Sequence, residues 1–201
     1  MILWDMNRIE NTLTGVLDED RDDQIGMALA LAGSNPMKAW KALRAMGGGP
    51  LRLQLMKGRK RTVETRRQMI PDLLRHGTMP ILSARGVVLA RRLGGVEDDF
   101  WPCRLDTNPD EAFFLVVPNR VFDIVDMRKS EFLTVLPLDP PLPISLKILR
   151  TRPLSGPLPP LLLAVIDSAI SSTFRDLIVR DDFKTAWEQA KFTGATFRRL
   201  C

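Results

Sequence analysis

Eight prolines fall within the twenty-five residues from Leu136 to Pro160, at positions 137, 140, 141, 143, 153, 157, 159 and 160. Each removes a backbone donor and clashes with the preceding helical turn, so no long helix can cross this stretch. The same density predicts extended loops flanking a strand over Ile144–Leu149, followed by a buried strand over Leu161–Ile166. With 201 residues, 45% of them hydrophobic, the chain has ample material for a core. Its longest apolar stretches, Met27–Ala32 and Leu158–Ile166, are far short of the roughly 18 to 20 residues a membrane helix needs.

Elsewhere the punctuation is local. Asn35-Pro36 caps a short helix over Met37–Met46, which Gly47-Gly48-Gly49-Pro50 ends. Leu51–Leu55 alternates apolar and polar residues with the period of a half-buried strand. Between Thr62 and His76, Pro71 interrupts any single helix and the segment reads as mixed. Ser83 caps a helix over Ala84–Leu93, and Gly94-Gly95 stops it. Phe100–Leu105 and Ala112–Val117 read as neighbouring strands, and Val121–Val125 as a short strand or a bend into the charged turn 126–130. At the far end, strand Leu177–Val179 leads to Asp181 as an N-cap. A helix over Asp182–Lys191 then buries Phe183, Ala186, Trp187 and Ala190, Gly194 breaks it, and Ala195–Arg199 is a strand. Phe183, Trp187 and Phe197 are the expected core of this unit. Short helices scattered among many strands, without regular βα alternation, predict an α+β fold of mixed, mainly antiparallel strands. Residues 1–69 read as an N-terminal helix and strand region, and 70–201 as the main α+β domain packed with it.

Charge is unevenly spread. Residues 1–23 hold seven acids and two bases, residues 38–92 two acids and fourteen bases, and residues 93–201 fifteen acids and thirteen bases. The basic segment is densest at Lys57-Gly58-Arg59-Lys60-Arg61, with Arg66 and Arg67 after it. Such a cluster gains affinity for nucleic acid by releasing counterions. No recognition helix, RNA-binding aromatic signature or zinc finger accompanies it, so a solvated face is the preferred reading. A docking patch for an acidic protein is a third. The acidic run 18–23 reads as an exposed loop, with phosphate mimicry toward a nuclease as the alternative.

The search for chemistry returns little. His76 is the only histidine, which rules out mechanisms built on several. Cys103 lies in a strand, where a free cysteine is commonly a small buried hydrophobe, and His76 beside Gly77 reads as a turn residue. The glycine run at 47–49 follows a helix, whereas phosphate loops precede one. Asp123 with Asp126 is the carboxylate pair hardest to dismiss as a metal or substrate site. Two cysteines, Cys103 and Cys201, cannot build a disulfide framework, and no secretory signal pattern is visible at the start, so a reducing, cytoplasmic setting is expected.

Four stretches in order, Pro80–Arg85, Phe100–Leu105 with Glu111–Val117, Val121–Glu131, and Ile178–Lys184 running on through Ala190–Phe197, resemble a known family. It is the eleventh immunity-protein family of bacterial polymorphic toxin systems, also described as a myxobacterial-type immunity domain. The final stretch is the most specific, since strand, capped helix, glycine and aromatic strand share the family's order and spacing. The resemblance covers about residues 70 to 201. It implies a cytoplasmic antidote that neutralises a toxin, delivered by neighbouring bacteria or made by the cell itself, in a 1:1 complex, with no catalysis, cofactor, metal or membrane. The expected contact residues are Arg59, Lys60, Arg61, Asp126, Arg128 and Lys129, all in hydrophilic stretches between elements. The competing readings are a nucleic-acid-binding module using residues 57–67 and, less favoured, an enzyme using Cys103 or the Asp123 and Asp126 pair.

Overall fold

The computed structural model describes residues 2–8, 14–17, 50–57, 60–61, 70–76, 79–96, 100–106, 110–116, 121–122, 124–126, 128–136, 142–148, 150–152, 156–167, 172–173 and 177–200. The elements, in chain order, are β1 (Leu3–Arg8), β2 (Thr14–Leu17), β3 (Leu51–Lys57), β4 (Lys60–Arg61), β5 (Leu73–His76), β6 (Met79–Ser83), α1 (Ala84–Arg92), β7 (Phe100–Leu105), β8 (Ala112–Val116), β9 (Val121–Phe122), β10 (Glu131–Leu136), β11 (Leu142–Ile148), β12 (Leu161–Asp167), β13 (Ser172–Thr173), β14 (Leu177–Arg180), α2 (Asp181–Gln189) and β15 (Ala195–Arg199). The fold is α+β, with mostly antiparallel pairing. Only β3 with β7 and β9 with β12 pair in parallel among the described strands.

Seven strands form one sheet in the order β2-β3-β7-β8-β6-β5, with β4 added to β3. The sheet curls until its end strands β2 and β5 lie beside each other. Alternation then decides what the curl encloses. Leu51, Leu53 and Leu55 of β3 point inward with Leu74, Ile81, Cys103, Leu105, Phe113 and Leu115. Their period-two neighbours Arg52 and Arg104 are exposed. The opposite faces of β5, β6, β7 and β8 carry Leu73, Leu82, Phe100 and Val116 into a second core with both helices and with Met6, Leu161, Leu177 and Val179 of the other sheet.

That second sheet runs β13-β12-β14-β1-β15, with β9 beside β12. Its far face carries a third core of Leu3, Ile124, Val125, Leu158, Leu162, Ile178 and Leu200. Adjacent residues of β14 therefore serve different cores, Leu177 and Val179 one and Ile178 the other, which explains an unbroken apolar run where a half-exposed strand would alternate. β1 lies between β14 and β15 and pairs antiparallel with each. Strands from before residue 70 thus pair with strands after it in both sheets.

In the proline-rich stretch β11 starts two residues earlier than Ile144, and Pro143 sits inside it opposite Val135. β10 and β11 form a two-stranded sheet, so both strands are edges, where a missing amide is tolerated, and the register shifts beside the proline. Helix α1 follows Ser83 as read, and the Ser83 hydroxyl accepts from the Gly86 amide at 3.3 Å. α2 differs from the reading. Its N-cap is Arg180, with no side-chain cap, and Asp181 is the first helical residue. Asp181 instead accepts from Trp4 Nε1 at 2.7 Å, and Asp182 accepts from the Phe183 amide. Phe183 and Trp187 are buried, but Ala186 and Phe197 are half-buried and Ala190 is exposed, because the helix ends at Gln189 and the last turn leaves the core. The helix expected over Met37–Met46 lies outside the described residues.

Candidate functional site

The charged turn after β9 is built by Asp126. Its amide donates to Arg150 O at 2.8 Å, and the bridge Val125–Thr151 anchors it beside the third core. One carboxylate oxygen accepts from the amides of Arg128 at 3.1 Å and Lys129 at 3.2 Å, while the Asp126 carbonyl accepts from the Ser130 amide at 2.9 Å. Ser130 Oγ accepts from the Arg150 amide at 3.0 Å, which fastens the other end of the turn. This is the local side-chain-to-backbone bonding that aspartate offers in turns. Lys129 reaches back to Asp126 at 3.5 Å with its side chain largely exposed, and Arg128 is exposed. Asp126 is therefore half-buried and committed to shaping the turn, and the two cations are what the turn presents.

The other candidate contacts sit elsewhere. Lys60 and Arg61 form β4, in register with Lys57 and Met56 on the seven-stranded sheet. The turn at Asp126 belongs to the far face of the six-stranded one. Arg59 and Asp123 lie outside the described residues. The five candidate residues that are described thus divide between two places, Lys60 and Arg61 on one sheet and Asp126, Arg128 and Lys129 in a turn beside the other. Among the described residues no group of three His, Cys, Asp or Glu side chains is placed to hold a metal ion.

Cys103 lines the interior of the curled sheet, and its Sγ lies 3.7 Å from Trp101 O. Burial pushes its thiol up to about 12, so at neutral pH almost none is thiolate. His76 closes β5 in register with Met79.

The sequence reading missed a buried polar junction centred on Asp72. This residue is 1% exposed, and its carboxylate accepts from Ser83 Oγ at 2.7 Å, from Arg85 through Nε and, at 2.7 Å, through Nη2, and from the Thr193 amide at 2.8 Å. Its own amide donates to Thr193 O, and its carbonyl accepts from the Ser83 amide. The cap of α1, the start of β5 and the turn before β15 therefore meet at one carboxylate. Burial is the largest influence and pushes the Asp72 carboxyl up, yet the Arg85, Thr193 and Ser83 hydrogen bonds together hold it below its usual value. Arg85 also stacks over Phe192, 4.7 Å from the ring centre. A second junction is Arg180, which bonds Asp182, the Leu158 carbonyl and the Leu93 carbonyl at the C-cap of α1. A third is Asp5, fully buried, which accepts from Arg198 Nη2 at 2.7 Å directly across β1 and β15. One signal in the sequence pointed to the first: Asp72 and Glu64 are the only acids between residues 38 and 92.

Compared with known proteins, the chain matches no protein-family model and no curated protein. Among the described residues no helix is long and apolar enough to cross a membrane.

Proposed function

We propose that this protein is a cytoplasmic immunity-type antidote that binds one cognate toxin in a 1:1 complex and blocks or distorts its active site. The observation that carries this reading is the turn 126–130. Hydrogen bonds of Asp126 and Ser130 hold the backbone that carries Arg128 and Lys129, so that backbone does not have to be ordered on binding. Preorganisation of this kind lowers the entropic cost of association, and paired surface cations steer an acidic partner. The resemblance of residues 70 to 201 to the immunity family is the other ground for this reading.

The test is co-expression with the protein encoded by the adjoining gene, followed by co-purification and titration calorimetry. A 1:1 complex is expected. Reversing Arg128 and Lys129 to Glu should slow association at low salt and much less at about 1 M salt, where the screening length falls to about 3 Å. No complex at micromolar concentrations, together with salt-sensitive binding to DNA or RNA, would replace this reading with the nucleic-acid module.

A further inference from the structure

Most arginines of the two sheets and helices have a structural task. Arg85 binds Asp72, Arg180 binds Asp182 and two carbonyls, Arg198 binds Asp5, Arg75 donates to Met6 O, and Arg91 lies over Phe100 and Phe114. Among the described residues Arg52, Arg92, Arg104 and Arg199 are exposed and have no such task, and of these only two stand in register with each other. Arg52 of β3 and Arg104 of β7 are cross-strand partners in the parallel pairing of those strands. Both are exposed on the outer face of the curled sheet, and among the described residues neither guanidinium has an ion-pair or hydrogen-bond partner. Residues in register on neighbouring strands share a face, with strand spacing of about 4.8 Å, so the two charges stand side by side. Like charges in that position oppose pairing of the strands.

Composition does not force this arrangement. Arg52 comes from the basic segment 38–92, but Arg104 comes from residues 93–201, where acids outnumber bases. Asp106, two residues beyond Arg104, is exposed and already has contacts of its own. The immediate surroundings are low: Pro102 and Ala112 are exposed, and Ala112 lies opposite Arg104 across β8. Among the described residues of this face no bulky side chain shields the pair and no exposed aromatic stands to stack a base.

We propose that the outer face of β3 and β7 is a docking surface for a protein partner bearing paired carboxylates, with Arg52 and Arg104 as its two anchors. Guanidinium groups grip carboxylates through two parallel hydrogen bonds, and two of them fixed on a sheet set both the spacing and the orientation of the acidic groups they accept. This deepens the binding-protein reading above by naming a second surface, and it rests on that reading for its biological sense. Its test does not require the partner in hand.

The full chain is titrated with a fluorescent polyglutamate peptide and, separately, with a single-stranded oligothymidylate of matched charge. Two double variants are compared: Arg52→Gln with Arg104→Gln, and Arg92→Gln with Arg199→Gln, which removes the same charge from exposed positions elsewhere. Losing both anchors should weaken polyglutamate binding about fivefold, in the range expected for two exposed ion pairs, and the control pair should change it less than twofold. The Arg52 and Arg104 variant should also melt no lower than the parent, because it relieves a like-charge pair. Equal weakening by both variants would reduce the effect to net charge and overturn the proposal. A lower melting temperature would show that the pair serves the fold and would overturn it too. Tighter binding of oligothymidylate that depends on Arg52 and Arg104 would assign the face to nucleic acid instead. Failure to co-purify an adjoining toxin would count against the immunity role and leave these outcomes readable.

Discussion

Asp72 shows how one residue can settle the relation of three elements. Its carboxylate has almost no solvent to fall back on, so it is stable as an anion only while Arg85, Ser83 and Thr193 remain in place. Because its folded pKa lies below the unfolded value of about 3.9, the stability it confers is complete above that value and is lost as pH falls through the folded one. Asp72→Asn should cost about 2 kcal/mol near neutrality, the worth of hydrogen bonds to a charged group. Melting temperatures of parent and variant, followed down in pH, should converge below about pH 3.9. A gap that persists unchanged in acid would show that the junction does not depend on ionisation. Trp187 offers the complementary case. It is 1% exposed, packed edge-on to Phe192 at 5.0 Å and close to Gly86, while its Nε1 has no hydrogen-bond partner. Truncation to Ala should cost about 3 to 5 kcal/mol. Trp187→Phe should cost far less, because it removes a buried donor that gains nothing. Thermal melts of the two variants give the ordering, and equal losses would mean that the indole is needed for more than its bulk.

At the scale of elements, the readable parts were those with local punctuation. Ser83 and Gly94 bracket α1, and β7 was read with its observed limits, Phe100 to Leu105. The N-terminal strand was not readable, since Leu3, Asp5 and Met6 are all buried, and a strand covered on both faces shows no alternation. The cap of α2 was misplaced by one residue, because Asp181 has the chemistry of a cap but is drawn to Trp4, a partner 177 positions away. The Arg52 and Arg104 pair was equally hidden: each residue alternates as it should, and only the register between distant strands brings them together. Gly194 was read as a helix breaker, yet its demand is tertiary. Its φ is +91°, and an added Cβ would come 2.6 Å from Leu73 O and from Pro71 Cβ. Gly194→Ala should therefore destabilise by about 3 kcal/mol or more, combining backbone strain with overpacking, and loosen the Thr193 contact to Asp72. Chemical denaturation measures this, and an unchanged midpoint would mean that the turn can retreat from β5.

Across the whole molecule the two large sheets are joined by the middle core and by polar junctions, with β1 threaded between β14 and β15. Deleting residues 1–8 should therefore not produce a merely shortened protein. β14 and β15 would lose their common neighbour, Asp181 its Trp4 partner and Arg198 its Asp5. Hydrogen exchange should report loss of protection in α2 and β15, far along the sequence from the deletion. Retained protection there would mean that the C-terminal unit holds itself together. The same threading governs biosynthesis. The ribosome delivers Leu3–Arg8 about 170 residues ahead of β14, and further ahead of β15, a wait on the order of ten seconds or more at about 5–20 residues per second. Through that interval β1 has neither neighbour, so a translation product that stops short of β14 leaves Leu3, Trp4 and Met6 without the strands that flank them, marking unfinished chains for chaperones and proteases.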